Sequence, residues 1–304
     1  MYKKFFGLRE NPFNANPDPR YLFLTEHTEE ALASLTYGIQ HRRGFILLTG
    51  EVGTGKTTLI NKLLGWLHRQ GVATAFLFNP RMNVAEFFDF MMADFGIPCD
   101  ARQKSQVLMR LNHWLLEKYR NHETAVLIVD EAQDLSMRML EEIRLLTNLE
   151  TSTEKLLQIV LSGQPELEEK LRMPEVRQLR QRITLRCKTY PLTAEETIGY
   201  IAKRLAIAGA DSQVIFTPEA VETIHTYARG IPRVVNLLCE HSLITAFAEQ
   251  VRPVPPEMVD AVAREFELDQ IEPTAPSQLL RADDQQLRET LQGMATLMDR
   301  LRRP

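Results

Sequence analysis

The sequence holds 304 residues, 44% hydrophobic and 25% charged, ordinary values for a soluble globular protein. That composition excludes wholesale disorder, collagen-like repeats and a small disulfide scaffold, and it predicts one large domain or two modest ones. Thirty-six Lys+Arg against 40 Asp+Glu leave a net charge of −4, which announces neither nucleic acid nor membrane, although a local basic face could sit inside so mild a balance.

The opening Met1–Gly7 is basic and then aromatic, but no apolar run follows, so it does not read as a signal peptide. No apolar stretch approaches the roughly 20 residues of a membrane helix, and the expectation is a cytoplasmic protein without a membrane span. Cys99, Cys187 and Cys239 lie far apart and read as buried free thiols of a reducing compartment. The histidines show no HExxH or paired spacing, so no protein-held metal site is expected.

In chain order, Pro12, Pro17 and Pro19 make the first 25 residues loop-like. A helix pattern runs from about Thr28 to Gln40, and a buried strand over 44–49 ends at Gly50. Helix 56–69, strand 72–78, helices 84–95 and 103–119 and strand 124–129 follow. Helix 135–149, strand 155–162, a short helix 166–173 and strand 183–189 complete the alternation. Apolar strands separated by helices predict an α/β fold, a doubly wound parallel sheet covered on both faces. The apolar block Phe87, Phe88, Phe90, Met91 and Met92 reads as core.

After Pro191 the strands stop. Thr193 and Glu196 have capping-box spacing, Thr217-Pro218 and Pro232 open further helices, and a fourth runs from Pro255-Pro256 to near Phe266. The expected organisation is a core over 1–190, an all-helical lid over 191–268, a linker over 269–277 and an amphipathic helix over 278–304. In that last segment Leu280, Leu287, Leu291, Met294, Met298 and Leu301 form a coiled-coil-like stripe.

The chemistry begins at Gly50-Glu51-Val52-Gly53-Thr54-Gly55-Lys56-Thr57, which fits G-x-x-x-x-G-K-[ST] between a strand and a helix. Such a loop, continuing through Thr58, turns backbone N–H groups around phosphate oxygens. Lys56 would meet the terminal phosphates of ATP, Thr57 would complete a Mg²⁺ shell, and the helix would present its positive end. Strand 124–129 then ends in Asp130-Glu131. Asp130 would hold Mg²⁺ through water and Glu131 would polarise the attacking water. Asn79 ends strand 72–78; it either restrains Glu131 or makes an ordinary Asx turn. At the end of strand 155–162 a polar side chain would face the γ-phosphate, with Gln164 preferred over Ser162. Arg177 and Arg186 read as surface charge, whereas Arg180 or Arg182 is placed to enter a neighbouring subunit's site as an arginine finger. Arg233, after Gly230-Ile231-Pro232, would return to the phosphates as the lid closes.

These residues resemble the AAA+ ATPases, and within them the ExeA (GspA-type) group of bacterial secretion ATPases. The likeness lies in Tyr2–Phe13 and Pro17–Arg20, in GEVGTGKTT, in DEAQDL at 130–135, in LLTNLET at 145–151, in SGQPEL at 162–167 and in GIPRVVN at 230–236; it covers roughly 1–266. The resemblance implies a P-loop NTPase (AAA+) fold with ATP and Mg²⁺ as cofactors, and it casts Asn79 as glutamate switch, Gln164 as sensor 1 and Arg233 as sensor 2, with Pro12 and Phe13 near the adenine. ExeA-like proteins continue into a membrane helix and a peptidoglycan-binding domain, whereas this sequence ends in the amphipathic stripe. A similar core occurs in transposition regulators resembling TniB, TnsC and MuB, which form ATP-dependent filaments on DNA. The leading expectation is an ATPase, homo-oligomeric as ring or filament, that drives assembly of itself or of a protein partner in secretion or envelope biology, with the C-terminal helix as a contact. The alternatives are a DNA-binding transposition regulator using Arg42-Arg43 and residues 177–188 as its basic surface, and a signalling scaffold that scarcely turns nucleotide over.

Overall fold

Each strand is apolar almost throughout, yet successive side chains serve opposite faces. Phe45 and Leu47 enter one core cluster with Leu127, Val129, Ile159 and Leu161, while Ile46 and Leu48 enter a second with Val126, Ile128 and Val160. Such two-sided burial requires helices above and below the sheet. The computed structural model describes residues 2–78, 80–98, 103–210 and 214–268, and it shows that arrangement.

The core runs α1 (Tyr2–Phe5), α2 (Glu26–Gln40), β1 (Phe45–Gly50), α3 (Lys56–Arg69), β2 (Ala73–Leu77), α4 (Val84–Asp94), α5 (Lys104–Arg120), β3 (Ala125–Val129), α6 (Met137–Leu146), β4 (Leu157–Gly163), α7 (Pro165–Arg172), α8 (Arg177–Arg180) and β5 (Leu185–Thr189). Then come α9 (Ala194–Ile207), α10 (Pro218–Ala228), α11 (Pro232–Glu249) and α12 (Pro256–Glu265). The described strands form one parallel sheet in the order β2-β3-β4-β1-β5. One face packs on α4 to α7 and the other on α2 and α3. One buried polar side chain of β4, Gln158, is satisfied within the sheet: its Oε1 accepts from Gly44 N at 2.7 Å and its Nε2 donates to Lys155 O at 3.0 Å.

Local signals fix the helix starts. Thr25 caps α2, Thr193 and Glu196 form a reciprocal capping box on α9, and Thr217 precedes Pro218 at the start of α10. Elsewhere the structure departs from the sequence pattern. The helix expected from 135 begins at Met137, after a 3₁₀ turn over Ala132–Asp134, because Leu135 and Ser136 are extended (ψ 133° and 158°) and the Ser136 side chain caps the helix by accepting from the Met139 N–H. The loop-like opening contains α1 and a 3₁₀ turn over Pro19–Tyr21, capped by Asp18. Phe87, Phe88, Met91 and Met92 are core, but Phe90 lies partly exposed against Phe78, because it occupies the outer face of α4.

Contacts divide the chain into two units, Met1–Ala263 and Arg264–Pro304, and the sheet, its covering helices and α9 to α11 all belong to the first. The linker expected over 269–277, the stripe over 278–304, Asn79 and Cys99 lie outside the described residues. Cys187 and Cys239 are buried, and desolvation pushes the Cys187 thiol up to about 11. No described helix is long and apolar enough to cross a membrane.

Leu63, on α3, is fully buried, whereas Met109, on α5, is 64% exposed. Leu63→Ala should destabilise the fold by about 2–5 kcal/mol in urea unfolding, and Met109→Ala should stay within about 0.5 kcal/mol. Equal losses would contradict the core assignment.

Candidate functional site

β1 delivers the chain at Gly50 and α3 takes it up at Lys56. The turn between them needs a positive φ at Gly53 (81°) and at Gly55 (98°). Gly50 is required for a different reason: a β-carbon there would lie 2.1 Å from Thr189 Oγ1 and 2.7 Å from Thr189 O. Thr189 ends the neighbouring strand β5, and its hydroxyl meets Thr54 Oγ1 at 2.7 Å, while Thr54 Oγ1 donates to Glu51 O at 2.7 Å. The loop is therefore pinned across the sheet as well as along the chain.

Lys56, 6% exposed, donates from Nζ to Gly50 O at 2.7 Å and to Glu51 O at 2.9 Å. Burial pushes its ammonium below the usual lysine range, against the opposing pull of Glu131, Asp130, Glu51 and Glu166. Asp130, at the end of β3, is 3% exposed. Its Oδ2 accepts from Thr57 Oγ1 at 3.0 Å, and its Oδ1 accepts from Ser162 Oγ at 2.7 Å and from the Glu131 N–H at 3.0 Å. Glu131 follows, and its Oε2 accepts from Gln133 Nε2 at 2.6 Å and from Gln164 Nε2 at 3.2 Å. Glu131, Gln164 and Lys56 thus converge on one cleft, while Ser162, fully buried, serves Asp130 from behind.

The cleft encloses about 630 Å³, within the range of roughly 300–1,000 Å³ usual for small-molecule sites. Its walls come from the loop 52–58, from the segment 13–18 and from α9 and α11. Phe13 lines it; Pro12 is buried, and its carbonyl accepts from Arg204 Nε at 2.6 Å. Arg204 is 6% exposed, donates to Tyr200 Oη at 3.0 Å and to Asn14 O at 3.4 Å, and lies 4.5 Å from the Tyr21 ring centre. Aromatic faces and carbonyls replace the water this guanidinium would otherwise bind, and they tie the N-terminal segment to α9.

α11 rests directly on the phosphate-loop candidate. Arg233 N donates to Gly53 O at 3.3 Å, and a β-carbon on Gly53 would lie 2.8 Å from Arg233 Cβ. Gly230, with a φ of 72°, leaves no room for a side chain, since its β-carbon would fall 1.9 Å from Leu192 O. The approach lets Leu192 N donate to Gly230 O at 2.7 Å, so the turn before α11 is clamped to the segment leaving β5. Arg233 lines the cleft.

Arg180 and Arg182 do not line this chain's own cleft. Arg180 is exposed at the end of α8, whereas Arg182 donates from Nη1 to Thr147 Oγ1 at 2.8 Å and is engaged within its own chain. The basic residues considered as a nucleic-acid surface are partly neutralised. Lys188 lies 3.3 Å from Glu168, which also accepts from Thr49 Oγ1 at 2.6 Å, and Arg42 lies 3.4 Å from Glu154 with its guanidinium over Tyr119.

Three contributors escape sequence reasoning. Thr189 and Arg204 lie far along the chain from what they hold, and a cation on the inner face of a helix has no periodic signature. Gln133 stands in plain view two positions after Glu131, but its contact with Gln164, across 31 residues, has none.

Residues 39–171 match the AAA domain family. Over 249 residues the chain is 46% identical to general secretion pathway protein A of Aeromonas hydrophila, a match covering 82% of this chain and 45% of that protein. The chain thus spans less than half the length of that relative. Among solved structures it resembles Cdc6p from Pyrobaculum aerophilum (TM-score 0.63, 17% identity, covering 84% of this chain and 70% of that one). It also resembles the Aeropyrum pernix ORC2 protein (TM-score 0.62, 16% identity, 86% and 73%) and Thermotoga maritima RuvB (TM-score 0.55, 15% identity, 80% and 69%). At such low identity these structures show the fold alone. With a parallel sheet, a helical region and a glycine loop at the end of β1, the chain belongs to the AAA+ family of P-loop proteins and, within it, is similar to general secretion pathway protein A.

Proposed function

We propose that the protein binds ATP with Mg²⁺ in this cleft and hydrolyses it, and that turnover switches the assembly state of the protein or of a partner in secretion or envelope biology. The observation that carries the reading is the convergence of Lys56, Thr57 and the Glu131 carboxylate on one cleft beside a positive-φ glycine loop, with Asp130 bonded to Thr57. Gly50 to Thr58 supply the phosphate cradle, and the N-terminus of α3 adds a favourable dipole. Thr57 and Asp130 offer hard oxygen donors at hydrogen-bonding separation, a set that suits Mg²⁺ held partly through water. When bound, the ion neutralises charge on the β- and γ-phosphates. Lys56 replaces its two carbonyl contacts with phosphate oxygens, and Glu131 holds the attacking water and takes its proton. Gln164 and Arg233, which both line the cleft, read the γ-phosphate, and Phe13 borders the base. The Aeropyrum pernix ORC2 protein, of the same fold, is described in ADPNP–ADP complexes, which supports an adenine nucleotide here.

The helical region within 191–268 acts as the lid, because Arg233 N, at the start of α11, donates to Gly53 O of the loop at 3.3 Å. Hydrolysis is completed between subunits. Arg180 is the better finger, being exposed, while Arg182 is held by Thr147. Similarity to general secretion pathway protein A supports the secretion setting. The partner contact through 278–304 is an expectation from sequence, and the local neutralisation of Lys188 and Arg42 weighs against the DNA reading.

Glu131→Gln should bind ATP within about threefold of the parent, while phosphate release falls on the order of 10²–10⁴-fold. Parent-like turnover would remove Glu131 as the base. Arg180→Ala should lose on the order of 10³–10⁵-fold in turnover, and mixing it with Lys56→Ala should restore activity through subunits that combine an intact loop with an intact finger. A mixture as inactive as its components, or an active Arg180→Ala protein, would contradict action in trans.

A further inference from the structure

We propose that Gln133 is a positioning residue for hydrolysis, whose side-chain amide, bonded at both ends, orients the Glu131 carboxylate and leaves its Oε1 for the attacking water. The proposal deepens the ATPase reading and rests on it. Glu131 needs such a support, because its φ of 51° takes it out of regular secondary structure. Gln133 supplies it at 2.6 Å, the shorter of the two bonds that reach Oε2.

The orientation of the amide is dictated by its surroundings. Gln133 Oε1 accepts from the Gln164 backbone N–H at 3.1 Å. Turning the amide over would set its oxygen against the carboxylate and its NH₂ against that N–H, losing both bonds. Gly163 makes the approach possible, since a β-carbon there would lie 2.9 Å from Gln133 Oε1. The backbone is held too. Lys170, on α7, donates to the Gln133 carbonyl and to Leu135 O at 2.9 Å, fastening the 3₁₀ turn to the helix that Gln164 directly precedes. A donor fixed in this way holds one carboxylate oxygen still, and charge-assisted bonds of this kind are the strong ones. Gln133 does not line the cleft, whereas Gln164 does, so Gln133 acts through Glu131 and touches no nucleotide.

The test compares Gln133→Ala and Gln133→Met with the parent in full-length protein, measuring steady-state kcat and the Kd of ATP with magnesium, and places Gln133→Ala in the Glu131→Gln background. Methionine keeps length and bulk but cannot donate. Both single variants should lose about ten- to a hundredfold in kcat with Kd within about twofold, the scale of a misaligned catalytic group. Gln133→Ala should cost nothing further once Glu131 is Gln, because the two act as a unit. Either single variant with kcat within twofold of the parent would overturn the proposal. So would a loss that methionine restores, a parallel loss of ATP affinity, or an undiminished loss in the Glu131→Gln background. A parent that binds ATP without turnover would remove the hydrolysis reading itself, whereas an active parent with active Gln133 variants removes only this inference.

Discussion

A buried ammonium organises this site. Lys56 sits at 6% exposure, where an unpaired charge would be costly, and it is tolerated because two loop carbonyls accept its protons and four carboxylates lend a favourable field. That arrangement exists only if the chain between Gly50 and Lys56 doubles back tightly, which the positive φ values of Gly53 and Gly55 allow. The loop is then fixed from outside by Thr189, whose hydroxyl meets that of Thr54. A cation kept in place by carbonyls, next to a helix N-terminus, is prepared for the oxygens of a polyphosphate.

The same economy of contacts makes the cleft composite. The core provides the loop and Glu131, the helical region provides Arg233 and Asn236, and the N-terminal segment provides Phe13. Each junction is a close backbone or buried-charge contact: Gly53 with Arg233, Gly230 with Leu192, and Pro12 with Arg204. A change in how the helical region sits would therefore be felt at the glycine loop, which is what the proposed coupling of turnover to assembly requires.

Much of the molecule is legible in the sequence because the decisive residues are contiguous. The glycine loop occupies eight adjacent positions, Asp130-Glu131 directly ends a strand, and the capping residues Thr193 and Glu196 are three apart. Burial of Phe45, Ile46, Leu47 and Leu48 on both faces of the sheet is implied by the unbroken apolar run. What could not be read was whatever depends on the sheet order. Ser162 meets Asp130 because β4 lies beside β3, and Thr189 meets Thr54 because β5 lies beside β1. The left-handed φ of Glu131 was also invisible, since nothing in a run of helix-compatible residues announces it, and the extended Leu135 with the cap at Ser136 sets the start of the next helix at Met137. The choice between Arg180 and Arg182 likewise needed the Thr147 contact.

The central claim is that Lys56 and its loop hold the phosphates of an adenine nucleotide. Isothermal titration calorimetry of the purified protein and of Lys56→Ala with ATP and magnesium tests it most directly. The account predicts saturable uptake by the parent, with affinity reduced at least about tenfold in Lys56→Ala, as expected for a lost charge-assisted phosphate contact of ~1.5–3 kcal/mol. No uptake by the parent, or equal affinity in the two proteins, would contradict it.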